Sequence, residues 1–212
     1  MRSRLEDFDV FLQVEDDMII TLNHIMLYQE ESERLRFRRG RRGSADFHYV
    51  PGFIRVERGG SKGVAEIGEE LFEWEILLSR FRALLIRDAG VYMGLEGSTV
   101  LRKGGNNQGM WMATRDQLKI LNEKCGYLKF DKNSRHGHVE THSGSMQMFS
   151  SNCGFEKVFP ASHFEDFLVH HRTNNKNGRR GESIPAVPMS MLRVWAEQFL
   201  RDEAFLDTLN SL

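Results

Sequence analysis

Residues 11–20 read FLQVEDDMII. An apolar run ends in three consecutive carboxylates, Glu15, Asp16 and Asp17, and the chain then turns apolar again. Three adjacent like charges repel one another unless positive charge stands among them. Two readings follow. One is a solvated turn before a helix N-terminus, where the helix dipole favours carboxylates. The other is a divalent cation, Mg²⁺ or Mn²⁺, held by the hard oxygen ligands that such ions prefer. Taken alone, the triplet favours the turn, and the rest of the chain must decide.

Phe8 to Val14 alternates poorly and is predicted as a buried strand in the middle of an α/β sheet. The triplet then falls at the carboxyl end of that strand, where ligands bind in open α/β sheets. Thr21 is placed to cap a helix running to about Arg36, with Leu22, Ile25, Met26 and Leu35 near one face. Composition makes Arg36 to Phe47 a loop. Tyr49 to Glu57 reads as a strand broken early by Pro51-Gly52. Arg58 to Gly68, rich in glycine and charge, reads as a surface hairpin or loop, Leu71 to Ile86 fits strand or helix, and Val91 to Leu95 fits a short strand. Thr114-x-x-Gln117 and Ser162-x-x-Glu165 both have the form of a capping box. The first precedes Leu118, Leu121 and Cys125 at helical spacing. Met189 to Leu209 is the clearest helix, with Leu192, Trp195, Phe199, Leu206 and Leu209 in one core-facing stripe. No internal repeat or linker divides the 212 residues, so residues 1–212 form one domain.

Composition excludes several classes of function. Lys plus Arg is 29 against 30 for Asp plus Glu, a net charge of -1, which gives no general field for nucleic acid. The basic run Arg34 to Gly43 is read as a solvated loop or helix end. Cys125 and Cys153 are too few for a zinc cluster; a disulfide and two buried thiols both remain open. No apolar run is long enough to span a bilayer, and no signal peptide is read at the opening Met1 to Asp7.

Three further stretches bear on the triplet. Asn106-Asn107-Gln108-Gly109-Met110-Trp111-Met112 sets a small polar turn before a capped helix, with a glycine that permits close backbone approach to a ligand. His138-Val139-Glu140-Thr141-His142 sets one carboxylate between two histidines. Phe167-Leu168-Val169-His170-His171 ends an apolar run in two imidazoles, a better metal candidate than a lone histidine.

In this order the stretches resemble the GT-A fold glycosyltransferases, which use nucleotide-diphospho-sugars, over about residues 8 to 176. "VEDDM" looks like their DxD-type metal motif, "NNQGMWM" like their donor- and acceptor-side glycine loop, "HVETHSG" like their acidic xED motif, and "FLVHH" like their C-terminal metal histidine. "VPGFIRVE" and "FLVHHRTNNK" also look like uncharacterised eukaryotic members. The resemblance implies a GT-A-like mixed sheet flanked by helices. It implies a metal, Mn²⁺ or Mg²⁺, on Asp17 with Glu15 or Asp16 assisting and His170 or His171 opposite. Glu140 would be the base of an inverting transfer, and Asn107, Gln108, Gly109 and Trp111 the donor- and acceptor-side contacts. Trp111 has a second reading, core packing, on an equal footing. The substrates implied are a nucleotide sugar and a glycan, protein or lipid acceptor.

Two departures stand out. Thr141 occupies a position where such families often carry Asp, which leaves inverting or retaining chemistry open. The DxD-type motif usually follows several nucleotide-binding βα units, and here about ten residues precede it. The expectation is that the chain is incomplete at its N-terminus and binds donor poorly alone. The resemblance also places a full-length form in the Golgi or endoplasmic reticulum lumen as a type II membrane protein. The alternatives are a catalytically inactive carbohydrate- or partner-binding module of the same fold, and a metal-dependent hydrolase using the same groups.

Overall fold

The computed structural model describes residues 4–36, 39–42, 45–58, 70–72, 80–86, 89–96, 110–125, 154–171 and 189–210. They form a mixed α/β arrangement of small sheets and helices. The expected surface loop from Arg58 to Gly68 and the state of Cys153 fall almost wholly outside these residues.

Strand β1 (Val10–Val14) leads through the acidic turn into the short β2 (Met18–Ile19) and helix α1 (Leu22–Leu35). A basic strand β3 (Arg39–Arg42) pairs antiparallel with β4 (Ala45–Pro51), and β5 (Ile54–Arg58) and β6 (Glu70–Phe72) follow. A tight antiparallel pair, β7 (Arg80–Ile86) and β8 (Gly90–Glu96), turns at Gly90, whose φ of 108° suits glycine. Strand β9 (Met110–Thr114) runs directly into helix α2 (Arg115–Cys125). Strand β10 (Phe155–Pro160) then passes through a 3₁₀ segment (Ala161–Phe167) into β11 (Leu168–His171), and helix α3 is Met189–Asn210.

Among the described residues three sheets result, ordered β1-β9, β3-β4-β10-β8-β7 and β2-β11-β5-β6. The β4–β10 and β5–β11 pairs are parallel and the others antiparallel. The chain thus crosses from the five-stranded to the four-stranded sheet twice, once between β4 and β5 and once between β10 and β11. At the first crossing Gly52 N–H donates to the Val158 carbonyl at 2.9 Å. Phe159 packs so tightly there that a Cβ on Gly52 would lie 2.6 Å from its ring.

Apolar burial holds the layers. Helix α3 sets Leu192 and Ala196, with Trp195 and Phe199 beside them, on Ile54, Val56, Met93 and Phe159. Helix α1 sets Tyr28 on Phe53, Phe167 and Val169, its ring stacked on Phe53 at 5.8 Å. The helices expected from Thr21 and over Met189 to Leu209 are found, and Thr21 is the N-cap of α1. Thr114 and Gln117 form their reciprocal box: Gln117 N–H donates to Thr114 Oγ1 at 3.3 Å, and Thr114 N–H to Gln117 Oε1 at 2.8 Å.

Three readings are corrected, and one left open between strand and helix is resolved at its two ends. The strand expected in mid-sheet pairs, among the described residues, with β9 alone, and Phe8, Leu12 and Val14 are exposed; apolar content specifies burial only once neighbours exist. The expected loop from Arg36 to Phe47 contains β3 and the start of β4, because charge is well tolerated on an edge strand. The stretch from Leu71 to Ile86 holds strands at both ends. Ser162 and Glu165 form no capping box: Glu165 instead receives Arg193 of α3 at 2.6 Å, and the segment is 3₁₀ after Pro160.

Candidate functional site

The acidic triplet forms a turn in which Met18 N–H donates to the Glu15 carbonyl at 3.2 Å. Glu15 and Asp17 are half-buried and Asp16 exposed, while the Oδ1 atom of Asp17 is itself buried.

The strands on either side of the turn fix its neighbours. On the upstream side Val14 pairs with Met110, the residue that follows Asn107-Gln108-Gly109 in sequence. On the downstream side Met18 pairs with His171 and Ile19 with His170. The turn therefore lies between the start of β9 and the end of β11. Met110 and the end of β11, far apart in the chain, thus stand on either side of the acidic turn. Asn107, Gln108, Gly109 and Glu140 themselves lie outside the described residues, as does the side chain of His171.

Trp111 is 3% exposed, packed with Val50, Ala113, Leu118 and Phe155. Its Nε1–H donates at 2.7 Å to Oε1 of Gln13, its register partner on β1. Here it locks β9 to β1 and offers no open face to a sugar.

Helix α1 starts directly behind the turn, and His24 closes its cap. Thr21 N–H donates to His24 Nδ1 at 3.1 Å, and His24 N–H to Thr21 Oγ1 at 3.3 Å. Burial lowers the His24 pKa and the nearby His170 lowers it further, against the opposing effects of the Leu168 carbonyl and Asp166. His24 and His170 thus share one seam between α1 and β11. Sequence reading missed His24; the available signal was an imidazole at the third helical position, where a capping box usually carries Glu or Gln.

A metal's donor set can be tested against these residues. Carboxylate oxygens with one neutral imidazole suit Mn²⁺ or Mg²⁺. Among the described residues no group of three or more His, Cys, Asp or Glu is arranged to hold an ion. The donor chemistry fits, and the described side chains alone do not assemble the shell.

A cleft of about 360 Å³ opens at the other end of the β1–β9 ladder, lined by Arg36, His48, Tyr49, Arg115, Asp116 and Gln117 among others. Val10, also in its wall, is four residues from Val14, or about 14 Å along the strand. Ion pairs occupy its arginines: Arg36 with Asp116 and Arg115 with Asp9, each at 2.7 Å. At its base Gln117 accepts from Tyr28 OH at 2.8 Å and donates to Ser32 Oγ at 3.2 Å. The acidic turn, flanked by the chemically distinctive strand ends, is the better candidate.

Among the described residues no helix is long and apolar enough to cross a membrane. Comparison with protein-family models, curated proteins and solved structures found no match to this chain.

Proposed function

We propose that the chain is a metal-dependent glycosyltransferase of GT-A type, moving a sugar from a nucleotide-sugar donor to a hydroxyl of a glycan, protein or lipid. One observation carries the reading. The Glu15-Asp16-Asp17 turn is bracketed by Met110, after the Asn-Gln-Gly stretch, and by His171, across two strand pairs. The turn that resembles a DxD-type motif thus stands beside the strand start that follows the Asn-Gln-Gly stretch in sequence and beside the strand end that carries the paired histidines, which supports the reading.

In this proposal Asp17 is the main protein ligand of Mn²⁺ or Mg²⁺, with Glu15 or Asp16 assisting and His170 or His171 closing the shell as a neutral imidazole. Such an ion, when bound, neutralises charge on the departing diphosphate. The bond between the anomeric carbon and the diphosphate oxygen breaks, and a bond from the acceptor oxygen to that carbon forms. Glu140 takes the acceptor's proton. Asn107, Gln108 and Gly109 face the donor and acceptor, and Trp111 contributes by holding β9 against β1.

The test incubates the full-length protein with Mn²⁺, a panel of sugar nucleotides and simple acceptors. Transfer that requires both metal and acceptor is expected. Glu140→Gln should lower turnover by ~10²–10⁴, the usual contribution of a general base, with donor affinity unchanged. Release of free sugar or phosphate without acceptor would instead identify a hydrolase, and no metal-dependent nucleotide affinity would identify a non-catalytic binding module.

A further inference from the structure

Glu31 is a buried carboxylate that the proposed chemistry does not use. It sits on α1 and is 1% exposed. Tyr92 OH, from β8, donates to its Oε2 at 2.6 Å. Arg34 Nη1 lies 3.0 Å and His163 Nε2 3.3 Å from its Oε1. A buried carboxylate is tolerated only where such partners replace the water it has lost.

His163 belongs to the 3₁₀ segment between β10 and β11, and the backbone leaves helical geometry at this residue (φ -148°, ψ 38°). On its far side Nδ1 is 2.8 Å from Ser162 Oγ. A hydroxyl can donate to or accept from that nitrogen, so Nε2–H can face Glu31 whether the imidazole is neutral or charged. The ring also lies against Phe167 at 6.0 Å, and Phe167 immediately precedes β11. Helix α1, for its part, begins three residues after Ile19, the last residue of β2. The Glu31–His163 pair therefore joins the two segments whose strands, β2 and β11, bring Met18 and His171 together.

We propose that Glu31 and His163 are positioning residues: the half-buried His163 reaching the buried Glu31 carboxylate, with Tyr92 on its other oxygen, fixes the 161–167 segment against α1 and so sets where the His170-His171 end of β11 stands relative to the acidic turn. The inference rests on the reading of that turn as a metal site. Neither residue touches substrate or metal. Outer groups that orient a ligand-bearing element tune metal affinity through it.

The test uses the full-length protein and Mn²⁺ alone, with native-state hydrogen exchange followed at the amides of residues 168–171. His163→Ala should weaken Mn²⁺ binding about 10-fold, the lower range for an outer-shell partner, and speed that exchange. His163→Gln keeps an N–H that can reach Glu31 and should restore both. Should His163→Ala fail to fold, Tyr92→Phe removes a single hydroxyl and should produce the same pattern more weakly. Unchanged affinity and exchange in His163→Ala, or losses that His163→Gln does not reverse, overturn the proposal. If wild-type protein binds no Mn²⁺, the metal reading of the acidic turn fails, and the exchange comparison alone then supports or overturns the positioning role.

Discussion

Met18 stands opposite His171 in the antiparallel pair of β2 and β11. The pairing is short, yet it sets the end of one apolar run beside the acidic turn of another. A strand pair fixes its partners residue by residue, because a slip of one position turns every side chain to the opposite face. The closeness of the turn to the histidine strand is therefore a property of the backbone.

Gln117 carries three interactions from one amide. It accepts from Tyr28 OH and Thr114 N–H and donates to Ser32 Oγ. Gln117→Leu leaves those groups without it in a buried place. The expected loss is about 1–3 kcal/mol, the usual cost of an unsatisfied buried polar group. Chemical denaturation measures it, and a loss under about 0.5 kcal/mol, normal for an inert surface change, would contradict the role.

High pH should unfold the domain through its tyrosines. Burial raises the pKa of Tyr28, and burial together with the Glu31 carboxylate raises that of Tyr92. A phenol raised in this way adds stability that is fully present below its ordinary value of about 10 and is lost as pH climbs past it. Phenolate absorbance followed alongside circular dichroism should show at least two of the 4 tyrosines ionising only as the fold opens. Ionisation of all of them near the ordinary value with the fold intact would show the burial to be wrong.

Gly52→Ala should destabilise by about 1–3 kcal/mol, the range for overpacking a filled core. The new Cβ would meet Phe159, which is fully buried and has little room to swing. Adding Phe159→Leu should recover part of the loss in a thermal melt. A Gly52→Ala protein as stable as the parent would place the two sheet crossings further apart than described.

Much of the local structure was legible, because its signals are local. Thr21, and the pair Thr114 and Gln117, announce helix starts within four residues, and those helices are where they were expected. The failures are non-local. Glu165 looks like a capping residue until Arg193 of another helix takes it. Arg39 to Arg42 reads as loop because composition does not reveal an available strand edge. Trp111 carried two readings of equal weight, and its partnership with Gln13 across the ladder was decided by register. At the candidate site each stretch was visible as chemistry. The adjacency of the acidic turn to Met110 and His171 was not, since Val14 with Met110 and Met18 with His171 are pairings between distant parts of the chain. Glu31 was invisible for the same reason: a glutamate on a helix looks solvated until Tyr92 and His163 arrive from elsewhere.

The central claim is that the acidic turn holds a divalent ion, and Asp17→Asn tests it most directly. The substitution removes a charge from a cluster of like charges and changes little in shape, so the fold should persist. Calorimetric titration of the full-length protein with Mn²⁺, in the presence and absence of a nucleoside diphosphate, is the measurement. Mn²⁺-dependent binding is expected in the parent, and its loss in Asp17→Asn at an unchanged melting temperature. An Asp17→Asn protein that binds metal and nucleotide as the parent does would contradict the claim.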